Sequence, residues 1–171
     1  PVPDSARLML AGAYDASGAD EDALRTYEAL LQDGIGDADV RLAVARLRAA
    51  TGELAGATVA YESYLEPRPG DLQVRLEFAR HLAVLGSLDA SREQYARYRA
   101  DGGREPVALE VARVELGRER YDEAVAAARE AVRQMETGME SGDVEPGEAG
   151  AGAARRSDVL EARLTLAEAL R

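Results

Sequence analysis

One recurrence limits what this chain can fold into more than any other feature. Gly18, Gly52 and Gly86 stand 34 residues apart, and so do Tyr27, Tyr61 and Tyr95, Arg7, Arg41 and Arg75, and Ala11, Ala45 and Ala79. A five-residue core carries the register: Arg7-Leu8-Met9-Leu10-Ala11, Arg41-Leu42-Ala43-Val44-Ala45, then Arg75-Leu76-Glu77-Phe78-Ala79. A fourth copy, Ala108-Leu109-Glu110-Val111-Ala112, follows after 33 residues. A fifth, Arg163-Leu164-Thr165-Leu166-Ala167, follows after 55, so about 21 extra residues separate the last two copies. A unit repeated at a fixed stride does not bury its own apolar faces, but a stack of such units does.

The rhythm inside one copy names the unit. Val40, Val44, Leu47 and Thr51 fall at i, i+4, i+7 and i+11, one face of a helix. Gly52 stands where glycine ends helices. A second helix starts near Leu54–Ala55, runs through Ala57, Tyr61 and Tyr64, and stops before Pro67-Arg68-Pro69-Gly70, which no helix tolerates. Each copy therefore reads as an antiparallel helix hairpin, and the chain as all-α. Composition agrees, being rich in Ala, Leu, Glu and Arg and holding one Phe and no Trp.

Composition also removes function classes. With no cysteine there is no disulfide framework and no thiolate metal site, and neither cytoplasm nor periplasm is singled out. All 21 basic residues are arginine; against 32 acidic residues they leave a net charge of −11, which argues against nucleic acid as partner. No apolar run approaches the roughly 18–20 residues that span a bilayer. His81, the one histidine, lacks partners at metal or acid–base spacing. Asp33-Gly34-Ile35-Gly36-Asp37-Ala38-Asp39 lacks the spacing and terminal glutamate of a calcium loop and reads as a turn and helix cap. Gly150-Ala151-Gly152 follows no strand and lacks the third glycine of a nucleotide fingerprint. No metal, no cofactor and no catalysis are expected.

The pattern resembles the tetratricopeptide repeat family. The second copy carries the resemblance in Val44, Ala45, Gly52, Ala57, Tyr61 and Pro69, and the third in Phe78, Ala79, Gly86, Ser91 and Tyr95. The first carries it in Leu10, Ala11, Tyr14, Gly18, Ala23 and Tyr27, and the fourth in Val111, Ala112, Tyr121, Ala124 and Ala131. The resemblance implies a right-handed α-solenoid of stacked hairpins, at 5–36, 39–69, 72–103 and 105–135. A Gly-rich acidic insert at 136–156 is expected as a flexible loop or linker, and 157–171 as the first helix of a fifth, truncated repeat. Three departures stand out. Arg7, Arg41, Arg75 and Arg163 replace a common tryptophan, Tyr64 and Tyr98 replace a small residue, and Gly117 sits early, implying a tighter fourth turn. The chain stops mid-repeat, which reads as a segment of a longer protein or a helix that packs on something else.

In this family the first helices line a concave groove that holds a peptide or partner segment. The resemblance puts Leu42, Arg46, Leu76, Arg80, Leu109 and Arg113 on that wall, an arginine ladder beside a leucine stripe. Guanidinium groups take carboxylates through paired hydrogen bonds. The expected partner is an acidic segment or a C-terminal carboxylate, and the expected function a non-catalytic protein–protein scaffold. Against the ladder stand local pairs, Glu77 with Arg80 and Glu110 with Arg113, each three residues apart. The tyrosines read as packing residues, Tyr64 and Tyr98 being the ones best placed to offer a hydroxyl to a partner. The alternative function is a self-assembling module that docks through 157–171, whose apolar side is Leu160, Leu164, Leu166 and Leu170.

Overall fold

A computed structural model describes residues 2–140, 160, 161 and 163–170. The described residues form helices and turns, with no strand among them. In chain order the helices are α1 (Asp4–Ser17), α2 (Asp20–Gln32), α3 (Ala38–Ala50), α4 (Leu54–Leu65), α5 (Leu72–Val84), α6 (Leu88–Ala100), α7 (Ala108–Gly117) and α8 (Tyr121–Glu140). Residues 160, 161 and 163–169 are helical as well. Helix α8 runs five residues into the span expected as an insert; residues 141–159 lie outside the described part, and with them most of that insert. The chain divides into two compact units, Pro1–Leu85 and Gly86–Arg171.

The first unit packs α1 on α2, α2 on α3, α3 on α4 and α4 on α5. Small residues set the helix pairing. Ala11 and Ala23 in the α1–α2 hairpin, and Ala45 and Ala57 in α3–α4, are all fully buried. The repeat-register tyrosines then fill the space beyond them: Tyr61 is buried against Phe78 and His81, with ring centroids 5.6 Å from each. The second unit packs α6 on α7 and α7 on α8. Ala112 and Ala124 repeat the fully buried pair, and Ala128 takes the place of the tyrosine.

The turns explain the recurrent glycines. Gly18, Gly52 and Gly86 have φ of 75°, 85° and 80°, the left-handed conformation that closes a helix. The chain then folds back through Ala19 N–H to Tyr14 C=O (2.9 Å) and Glu53 N–H to Arg48 C=O (2.7 Å). The fourth turn is not tighter, as the early Gly117 suggested. Arg120 N–H donates to Glu115 C=O at 2.9 Å in the same pattern, and the left-handed position belongs to Glu119 (φ 60°). Gly117 answers a different need, because a Cβ there would lie 2.8 Å from Leu88 Cδ1.

Two of the departures find a structural use. Tyr64 and Tyr98 are buried, and their hydroxyls serve the chain itself rather than a partner. Tyr64 Oη donates to Asp71 Oδ2 (2.9 Å), while Asp71 caps α5 by accepting from Val74 N–H (3.1 Å). Tyr98 Oη accepts from Glu105 N–H at 2.8 Å, and its ring lies so close to Gly103 that a Cβ would overlap it at 2.3 Å. Both tyrosines thus reach seven residues ahead and fasten the turn that leads into the next first helix. Arginines at the usual tryptophan position also reach turns: Arg7 binds Asp33 at 2.7 Å and the buried Arg75 donates to Pro69 C=O. The acidic glycine segment 33–39 ends in a cap, Asp37 accepting from Asp39 and Val40 N–H at 3.0 and 3.1 Å.

Two outcomes follow from these contacts. A non-glycine left-handed residue costs about 1–2 kcal/mol, so Glu119→Gly should raise the unfolding free energy by about 0.5–1 kcal/mol after the added unfolded-state entropy; chemical denaturation measures it. Burial pushes the Tyr27 and Tyr61 hydroxyls above the ordinary phenolic range, and the bond to Asp71 does the same for Tyr64. Such groups ionise more readily in the unfolded chain. Their contribution is complete below about pH 10 and is lost as pH rises through their folded-state values. Thermal melts should therefore be flat from about pH 7 to 9 and fall above about pH 10, less steeply in Tyr61→Phe.

Candidate functional site

The first unit carries four of the residues expected on the groove wall. Leu42 and Leu76 are buried, Leu76 completely, so they belong to the core and not to an open stripe. Arg46 and Arg80, each four residues further along the same helix, are exposed. In the second unit the division repeats: Leu109 is buried and Arg113 exposed. The pattern follows from helix geometry. An apolar residue at the edge of the buried face anchors the helix, and the long arginine four residues on extends past that edge into water.

The arginines engage carboxylates, though not where sequence distance suggested. Arg46 of α3 grips Glu77 of α5 side-on, with Nε to Oε2 at 2.9 Å and Nη2 to Oε1 at 2.8 Å. This paired bond raises the Arg46 pKa above its usual value and ties two successive first helices together. Glu77 was expected to pair with Arg80 of its own helix. Arg113 of α7 bonds Glu161 in the helical stretch beyond the insert. Each of these two arginines therefore meets a glutamate of the next first helix in sequence. A signal for Glu77 was available, since it holds the third position of its repeat core, facing the preceding copy.

Around Arg113 the second unit forms an open cleft of about 460 Å³, lined by Arg113, Leu116, Gly117, Glu161, Leu164, Thr165 and Glu168. The helical stretch beside it buries Thr165 and Ala169, yet leaves Leu160, Leu164 and Leu170 about 60% exposed. Leu164 and Ala167 stand where α5 has the fully buried Leu76 and Ala79, but both are exposed.

Other polar groups are committed to structure. His81 is buried, with Nε2 at 3.0 Å from both Thr58 Oγ1 and Leu54 C=O, so it joins α5 to α4. Glu115 is buried between Arg92 and Arg118, and Arg118 also donates to Asp89 (2.8 Å). Arg48 spends its guanidinium on Glu28 and Gly56 C=O. Among the described residues no cluster of His, Asp or Glu has the make-up of a metal site, and no helix is long and apolar enough to cross a membrane.

No protein-family model and no curated protein matches the sequence. Solved structures do match the fold. The chain is similar to YrrB, described as a tetratricopeptide protein with an unusual peptide-binding site, at 17% identity and a TM-score of 0.69; the match covers 75% of this chain and 66% of that one. It is similar to residues 41 to the end of MamA from Desulfovibrio magneticus, at 13% identity and a TM-score of 0.67, covering 99% and 96%. It is also similar to a tetratricopeptide repeat protein from Parabacteroides merdae, at 10% identity and a TM-score of 0.66, covering 96% of this chain and 62% of that one. Helix hairpins at a 34-residue stride, small residues where the paired helices meet, and these likenesses together establish that the chain has an all-α, tetratricopeptide-type fold.

Proposed function

We propose that this chain is a non-catalytic protein–protein interaction scaffold whose first helices grip an acidic peptide segment or a C-terminal carboxylate. Arg46, Arg80 and Arg113 are the contacts in this reading. Leu42, Leu76 and Leu109 support them from the core by holding the helices from which the arginines project. The observation that carries it is the side-on grip of Arg46 on a carboxylate at 2.9 and 2.8 Å, which is the geometry a ligand carboxylate would take. The likeness of fold to YrrB, described as having a peptide-binding site, supports it. The net charge of −11 opposes an acidic ligand at long range. At physiological ionic strength that field is screened beyond about 8 Å, so the local guanidinium groups decide the contact.

Each charge-assisted bond lost should cost about 1–3 kcal/mol. Binding of a fluorescent oligoglutamate peptide should weaken about tenfold or more in an Arg46→Ala, Arg80→Ala, Arg113→Ala triple variant. A loss under about twofold would count against the arginine contacts.

A second reading is self-association, favoured by the exposure of Leu160, Leu164 and Leu170 on one short helical stretch. It predicts a concentration-dependent oligomer in sedimentation or light scattering, abolished by Leu160→Asp with Leu164→Asp. A monomer at every concentration for the unsubstituted chain would dismiss it.

A further inference from the structure

The arginines assigned to ligand are already occupied. Arg46 holds both carboxylate oxygens of Glu77, and Arg113 holds Glu161. In both units the carboxylate comes from the next first helix in sequence, so the arrangement occurs twice independently. With Glu77 in place the pair is neutral, and an arriving carboxylate meets the like charge of Glu77 a few ångströms away. Neither side chain is locked in: Arg46 is 52% exposed and Glu77 23% exposed, a setting in which ion pairs are weak and exchange freely. Arg113 and Glu161 are about half exposed. By contrast Glu115, clamped by two arginines, is almost fully buried and has no such freedom.

From this we infer that Glu77 and Glu161 are built-in competitors, standing in for the ligand's carboxylates, and that a partner binds by exchange. The inference rests on the reading of Arg46 and Arg113 as ligand contacts. In exchange, the ligand carboxylate replaces Glu77 on the Nε and Nη2 edge of Arg46, and Glu77 turns out to water. The net gain per site is small, because one ion pair replaces another. Selectivity then falls on ligands that present several carboxylates in register, since one alone gains little over the resident glutamate.

The test measures affinity for oligoglutamate in the whole chain, using Glu77→Gln, Glu161→Gln and the double variant. Glu66→Gln makes the same charge change at an exposed carboxylate without a printed role at Arg46. An exposed pair contributes about 0.2–1 kcal/mol, so each competitor removed should tighten binding up to about fivefold, with the two effects multiplying, and Glu66→Gln should leave it unchanged. Arg46→Ala should cancel the gain from Glu77→Gln. If the unsubstituted chain binds and Arg46→Ala weakens it, but Glu77→Gln leaves binding equal or weaker, Glu77 positions Arg46 and the exchange inference is overturned alone. If Glu66→Gln tightens binding as much as Glu77→Gln, general charge accounts for the gain and the inference falls as well. If no variant and no unsubstituted chain binds, the ligand reading falls and this inference with it. Circular dichroism of each variant confirms that the helices persist.

Discussion

The close approach of two helices at a pair of small side chains underlies the rest of the structure. Ala11 faces the level of Ala23, Ala45 that of Ala57, and Ala112 that of Ala124, all without exposed surface. Helices packed through alanine sit near the short end of the usual 8–10 Å spacing. A larger residue at either place would separate them and forfeit the contacts above and below. Once the spacing is set, the tyrosine four residues after the small residue of the second helix has a defined gap to fill, as Tyr27 and Tyr61 do. The glycine turn between the helices then has one length that fits, and all of the turns use it, including the one built on Glu119.

A second layer of order lies between hairpins. The connections after α4 and α6 are irregular and rich in proline or glycine, and such backbone needs partners. Tyr64 and Tyr98 supply them from the helix just finished, one through the capping carboxylate of Asp71 and the other through the amide of Glu105. Arg75 supplies another by donating to Pro69 C=O. Residues that depart from the usual repeat pattern are therefore gathered where the chain crosses from one hairpin to the next. They replace packing bulk with hydrogen bonds directed at the turn.

The arginines divide by burial into two populations. Arg92 and Arg118 enclose the buried Glu115, where removal of either partner would strand a charge away from water. Arg46 and Arg113 hold their glutamates in the open, where the same chemistry contributes little to stability and is free to be exchanged. One residue type thus serves as cement in α6–α7 and as an accessible contact on α3 and α7.

Periodicity alone determined the hairpins, the turn glycines and the small buried pairs, because these depend on spacing along one chain and repeat at 34 residues. The exposed standing of Arg46, Arg80 and Arg113 was legible for the same reason. The leucines beside them were not. Whether a residue at the edge of a helix face is wall or core depends on how far the next helix reaches over it, and the neighbouring helices cover Leu42, Leu76 and Leu109. Nor did sequence distance reveal the ionic partners. Glu77 lies three residues from Arg80 but bonds Arg46, because stacking brings successive first helices side by side and a long guanidinium reaches across more readily than along. Tertiary structure likewise decided the role of Tyr64 and Tyr98, whose hydroxyls find acceptor and donor only after the chain has turned the corner.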